Sequence, residues 1–282
     1  MNKKSLYILF VLFFFLFSLP SPKAEGLEIM ATSPWMTMIT RFIGGVYVTV
    51  KPISLWNDQG KSVRKIPLSS IKKDASILAL DEIEASALGL KKDGRPNLYL
   101  LYGKVPFDTA RMDYYMADPS VLPFLAQRIL TGLSSFDPGN YPYFQRRLSE
   151  FQTRLDSTVL VGRQLLKGYP VFDLTGGATP LFVAAGCRLL PENPAIRTAW
   201  ERGEDIEGLL REIKAALEKK IPVVLDTASA KPILDVLKDE KNVLFLSRPD
   251  PEQDLLIFFH DLYLLFWNRL APYRQQHGVP QR

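Results

Sequence analysis

The sequence predicts an α/β chain of two lobes with parallel sheets, joined by a long helix and facing each other across a cleft. Three observations predict it. Short apolar runs alternate with helical patterns over residues 27–101. Residues 120–166 then pass without a strand. Strand–helix alternation resumes at residue 170 and continues towards the end of the chain. Strands separated by helices point to βαβ units and hence to parallel sheets.

The elements follow in order. Residues 27–32 (LEIMAT) read as a first strand, and 35–43 as a helix that stops at Gly44-Gly45. Residues 46–50 are a second strand, 57–64 a polar loop, 76–80 (SILAL) a third strand and 97–101 (NLYLL) a fourth. Val121, Leu122, Leu125, Ile129, Leu130 and Leu133 then recur at helical spacing behind Asp118-Pro119. Aspartate caps free amides there, and proline suits the first turn. Asp137-Pro138 opens a longer helix whose apolar stripe is Tyr143, Phe144, Leu148, Phe151 and Leu155. Strands at 170–174, 188–190, 223–225 and 243–246 alternate with helices at 180–185, 206–219 and 231–237. A helix over 253–269 closes the fold, and 273–282 reads as a frayed tail. The chain thus divides into a leader (1–24), a first lobe (25–137), a connecting helix (138–168) and a second lobe (169–282). Each lobe is Rossmann-like in layout. Open α/β sheets bind ligands at the carboxyl ends of their strands, so two facing lobes place a site between them.

Composition narrows the function. Of 282 residues, 47% are hydrophobic and 23% charged, a globular balance. The chain has 35 basic and 30 acidic residues, and the leader takes Lys3, Lys4 and Lys23 of these and no acid. The remainder is close to neutral, which gives no electrostatic footprint for nucleic acid. The single cysteine, Cys187, excludes an internal disulfide, a CxxC redox pair and a cysteine-rich zinc site. The two histidines, His260 and His277, exclude any three-histidine site within one chain. A Ser/His/Asp hydrolase lacks its G-x-S-x-G elbow and a histidine beside a nucleophile. No acid–base pair stands out, so the chain does not read as an enzyme. The leader has a basic start, an apolar stretch at 6–19 that is shorter than the ~20 residues spanning a bilayer, and Ala24 at its end. It reads as a secretory signal cleaved after Ala24, with delivery to the periplasm; the alternative is an uncleaved anchor.

Several groups are candidates for a site. Thr175-Gly176-Gly177 precedes a helix and can cradle an anion with its backbone amides, or it is simply a tight turn. Asp226 follows a strand and either faces the cleft or caps the next turn. Trp35, Trp56 and Tyr114-Tyr115 either line a pocket for an organic ligand or belong to the core. The bases at Lys61, Arg64, Lys65, Lys72 and Lys73 read as a solvated loop, the alternative being a docking face for an acidic partner.

The middle of the chain resembles the zinc/manganese solute-binding proteins of bacterial ABC importers. That family carries an H-x-W-x-D-P run and a second D-P nineteen residues on, followed by a tyrosine-bearing amphipathic helix. Asp118-Pro119 and Asp137-Pro138 have that spacing, with Tyr143, Phe144, Leu148 and Leu155-Asp156 behind them. GYPVFDLTGGATPLFVAAGC at 168–187 is similar to the family's strand, ligand loop and helix. The segment 205–237 matches its helix–strand–helix. The resemblance implies two lobes on one stiff helix, no catalysis, capture of zinc or manganese between the lobes, and an ABC permease in the inner membrane as partner.

The resemblance also implies where ligands should stand, and there the sequence departs. The family's first histidine falls in a loop that here is 56–65 (WNDQGKSVRK), without histidine. The second position is Tyr114, the third Thr175, and the fourth Asp254 or Asp250. Tyrosine and threonine are neutral at pH 7 and poor ligands for zinc, which takes about four nitrogen, sulfur or carboxylate donors. The expectation is therefore a periplasmic metal-import solute-binding protein with a weakened or altered site, holding zinc or manganese weakly. The alternative is a metal-free envelope interaction or assembly protein that keeps the fold.

Overall fold

A computed structural model of the chain describes residues 26–103, 111–237 and 239–277. The leader and its cleavage site lie outside the described residues.

The first lobe carries a four-stranded sheet in the order β2-β1-β5-β6. Its strands are β1 (Leu27–Ala31), β2 (Val48–Pro52), β5 (Ser76–Ala79) and β6 (Leu98–Leu100), all parallel. The second lobe repeats the plan as β10-β9-β7-β8. Its strands are β7 (Pro170–Asp173), β8 (Arg188–Leu190), β9 (Val223–Asp226) and β10 (Leu244–Leu246), again parallel. Every residue of β7 and of β9 is buried, as expected of strands covered on both faces.

The residues read as a polar loop do something more ordered. β3 (Ser54–Trp56) and β4 (Ser62–Arg64) pair antiparallel around a tight tip. The Asn57 side chain accepts from the amides of Gln59 and Lys61, both at 3.0 Å, and folds the tip on itself. Three-residue strands are too short to show alternation, so the turn chemistry and the tip's contact with Thr227 of the second lobe set this hairpin.

Helix α1 (Pro34–Gly44) starts on Ser33, whose hydroxyl accepts from the Met36 amide, and has proline at its first position. Two short helices, α2 (Glu82–Ala87) and α3 (Met112–Met116), precede α4 (Leu122–Phe136). The connector α5 (Tyr141–Leu166) has 26 residues, roughly 39 Å at 1.5 Å per residue. Asp118 and Asp137 both take backbone amides, from Ser120 and Asn140 respectively, which is their capping role. Phe144, Leu148, Phe151, Leu155 and Leu166 bury the helix's inner face. The second lobe adds α6 (Thr179–Ala184), α7 (Pro194–Glu201), α8 (Ile206–Glu218), α9 (Lys231–Leu237) and α10 (Leu255–Arg269). A last short helix, Ala271–Gln276, stands where the tail reads as frayed.

One apolar core runs through both lobes and the connector. It joins Ile29, Leu78 and Trp35 of the first lobe to Phe151 and Leu155 of α5 and to Val171, Leu181 and Phe259 of the second. Two smaller cores serve single lobes, one around Trp200 and Leu209 and one around Ile53 and Ile77. A core shared across the cleft couples the lobes, because close-packed interiors resist sliding apart.

Candidate functional site

The carboxyl ends of both sheets converge on the cleft, and the chain's own side chains fill it. Arg248, just after β10, reaches across from the second lobe. Its Nη2 donates to Asp113 Oδ2 at 2.6 Å, and its Nε donates to the Gly60 carbonyl at 3.1 Å. The other Asp113 oxygen accepts from Trp35 Nε1 at 2.9 Å. Trp35 meets Trp56 edge to face at 5.3 Å, and the Arg248 guanidinium lies 6.0 Å from the Trp56 ring centre.

Two glycines let the lobes come this close. Gly60, at the hairpin tip, has φ +70°, and a Cβ there would stand 2.4 Å from the Thr227 side chain. A Cβ on Gly177 would stand 2.8 Å from Asp113 Cβ. What remains between them is a cavity of about 40 Å³ lined by Trp35, Asp113, Gly177, Asp226, Arg248 and Phe258. That is room for water, not for an organic solute.

The Thr175-Gly176-Gly177 turn does cradle an anion, and the anion is Asp226. This carboxylate, at the end of β9 and 6% exposed, accepts from the amides of Gly176 (2.9 Å), Gly177 (2.9 Å) and Ala178 (3.3 Å). It also takes the Ala228 amide at 2.9 Å and the Ser229 hydroxyl at 3.1 Å. Both sequence readings of Asp226 hold together, since it borders the cleft and caps the turn after its strand. Beneath it, buried Asp173 accepts from the hydroxyls of Thr175 and Thr179, both at 2.6 Å, and pairs with Arg197 at 3.1 Å. Burial lowers the proton affinity of Arg197, but Asp173 and Glu201 outweigh it and hold the guanidinium more firmly protonated than usual.

The positions implied by the family resemblance are not brought together. Thr175 is fully buried, with its hydroxyl committed to Asp173. Tyr114 lines a different, open groove of about 720 Å³ with Asp118, Asp156 and Arg163, and the Arg111 guanidinium lies 4.5 Å from its ring centre. Asp254 caps α10 through the amides of Leu256 and Ile257 and pairs with Arg154 at 3.0 Å. Asp250 accepts from the Glu252 amide at 2.8 Å. Among the described residues, no group of three or more His, Cys, Asp or Glu side chains could hold a metal ion. Among the described residues, the donors at these positions do not make up the set of about four that zinc takes.

One more carboxyl is perturbed. Burial pushes Glu84 above the usual carboxyl range, and the charge of Asp81 adds to this. Hydrogen bonds from the Thr32 hydroxyl (2.6 Å) and the Leu80 amide (2.8 Å) pull the other way.

No protein family matches the chain by sequence profile, and no curated protein matches it by sequence. Solved structures do. ZnuA is similar with a TM-score of 0.59 and 18% identity, over 86% of this chain and 99% of that one. The chain has the two-lobed fold of zinc/manganese solute-binding proteins. The laminin-binding protein Lmb of Streptococcus agalactiae, described as a bifunctional adhesin and metal transporter, shares this fold. Its TM-score is 0.61 at 14% identity, over 87% of this chain and all of that one. FpvC of Pseudomonas aeruginosa, solved with Mn²⁺, shares it with a TM-score of 0.56 at 14% identity, over 90% of this chain. Lmb is thus described as transporting metal and FpvC as an SBP. No described helix is long and apolar enough to cross a membrane.

Asp113, Arg248 and Gly60 were not singled out by the sequence reading. An ion pair between residues 135 positions apart leaves no local signature. Trp35 and Trp56, read as either pocket or core aromatics, stand beside it.

Proposed function

We propose that the chain is an exported, periplasmic solute-binding protein of an ABC-type import system, serving a permease in the inner membrane, whose cleft has given up tight chelation of zinc and manganese. One observation carries the reading. The carboxylates that border the cleft are committed to the chain's own donors, Asp226 to four backbone amides and Asp113 to Trp35 and Arg248. The likeness to metal-binding neighbours supports the transport half of the proposal, and the donor chemistry supports the weakened site. Tyr114, Thr175 and Asp254, the positions that the resemblance marks, are each engaged elsewhere, which supports weak retention of any ion. Metal analysis of the purified mature protein and calorimetric titration with zinc and manganese test this. The expected result is no sub-micromolar binding. Sub-micromolar binding that disappears in Tyr114→Phe combined with Thr175→Val would overturn the weakened site.

The small volume left in the cleft favours a second reading, a metal-free interaction or assembly protein of the envelope. The two separate on one measurement. Stimulation of a reconstituted permease's ATPase by the protein supports transport, and its absence supports assembly.

A further inference from the structure

We infer that the cleft contains a guanidinium-selective cation site, filled from within by Arg248, and that this filling latches the lobes shut without any metal. The inference stands on the cleft's geometry and does not need the transport reading.

All the acceptors belong to the first lobe, and the cation belongs to the second. Asp113 offers one carboxylate oxygen at 2.6 Å, the hairpin tip offers the Gly60 carbonyl at 3.1 Å, and Trp56 offers a ring at 6.0 Å. The second carboxylate oxygen is held by Trp35 Nε1, which fixes the plane in which the first one points. Donors spread along a planar fork match such a set, because Nη2 and Nε reach two acceptors at once while the flat face turns to an aromatic ring. An ammonium is a compact charge and cannot span both acceptors with the same geometry. A zinc-like dication would find one carboxylate where it needs about four donors.

The occupant is tightly housed. The Arg248 side chain is only 15% exposed and Asp113 27%. The tip itself seats against the second lobe, since Gly60 is buried and touches Thr227. A second cross-lobe tie, Arg41 to the Pro251 carbonyl (2.7 Å) and to Glu252, does not involve the tip and rests on a far more exposed carboxylate, 72% against 27% for Asp113. Arg248 is therefore the tie whose release should free the tip.

The test uses the mature chain with Arg248→Ala, read by hydrogen exchange of the amides at 57–61. In the wild type these amides stay protected, and neither chelator nor zinc changes them. In Arg248→Ala their exchange should rise on the order of tenfold, the loss of a charge-assisted bond across a partly buried contact. Millimolar methylguanidinium should restore protection, and equimolar methylammonium should not. Arg248→Lys provides a folded control that keeps the charge and loses the fork, and it should exchange like the alanine variant. Unchanged protection in Arg248→Ala would overturn the latch. Equal rescue by methylammonium, or full protection in Arg248→Lys, would overturn guanidinium selectivity.

Discussion

Replacing Asp226 with asparagine probes the claim that the anion cradle is satisfied internally. In the wild type one carboxylate oxygen serves Gly176, Ala228 and Ser229, and the other serves Gly177 and Ala178. Asparagine keeps one acceptor. In its better orientation the carbonyl oxygen serves the first three donors, and its NH₂ then faces the amides of Gly177 and Ala178. Two buried donors lose their partner at about 1–3 kcal/mol each, so the variant should lose about 2–6 kcal/mol. For a chain of this size that corresponds to a drop in Tm of about 4–24 °C. Urea unfolding followed by tryptophan fluorescence measures the loss, and hydrogen exchange at 176–178 locates it. Asp235→Asn is the control, because its partner Lys231 is 82% exposed and such pairs contribute little, below about 0.5 kcal/mol. A loss under about 1 kcal/mol in Asp226→Asn, with exchange at 176–178 unchanged, would refute the internal anion.

Two further outcomes follow from buried groups. Glu84 is raised in the folded chain, so between the ordinary carboxyl value and the raised one the native state holds more protons than the unfolded state. Unfolding free energy therefore falls as pH climbs through that interval. Glu84→Gln keeps an acceptor for Thr32 and Leu80 and should match the wild type at low pH and exceed it at neutral pH, as read by Tm against pH. Burial, helped by the charge of Asp173, pushes the Cys187 thiol up to about 12. At pH 8 native Cys187 should alkylate roughly a thousandfold more slowly than the unfolded chain, as followed by mass spectrometry.

The fold was readable wherever a pattern is local. Strand β7 and its turn, the stripe of α5, and the Asp118-Pro119 and Asp137-Pro138 caps all depend on residues within a few positions of one another. Helix α7 carries the same kind of signature at Asn193-Pro194, yet its two turns are too short for periodicity to stand out. The hairpin of β3 and β4 was missed because register there depends on Asn57 and on contact with the other lobe. The cleft was the least readable part. Asp113 and Arg248 pair across 135 positions, and neither is unusual in its own stretch of sequence. The histidine count could report which donors the chain lacks, but not which groups stand in the cleft.

The two internal ions suggest how a fold built to close around a solute can persist without one. Both ions at this cleft come from the chain itself: Asp226 fills an amide cradle within the second lobe, and Arg248 of the same lobe meets Asp113 of the first. Each charge is partnered, so neither leaves a buried ion uncompensated, which would cost several kcal/mol. Gly60 and Gly177 then matter as much as the ions, because a side chain at either place would hold the partners apart. A change that restored metal donors alone would still meet an occupied cleft. Opening it would first require releasing Arg248, and the core shared by both lobes would resist the motion. On the proposed reading, closure here would come from the sequence rather than from cargo, which separates what the fold can do from what this chain's residues allow it to do.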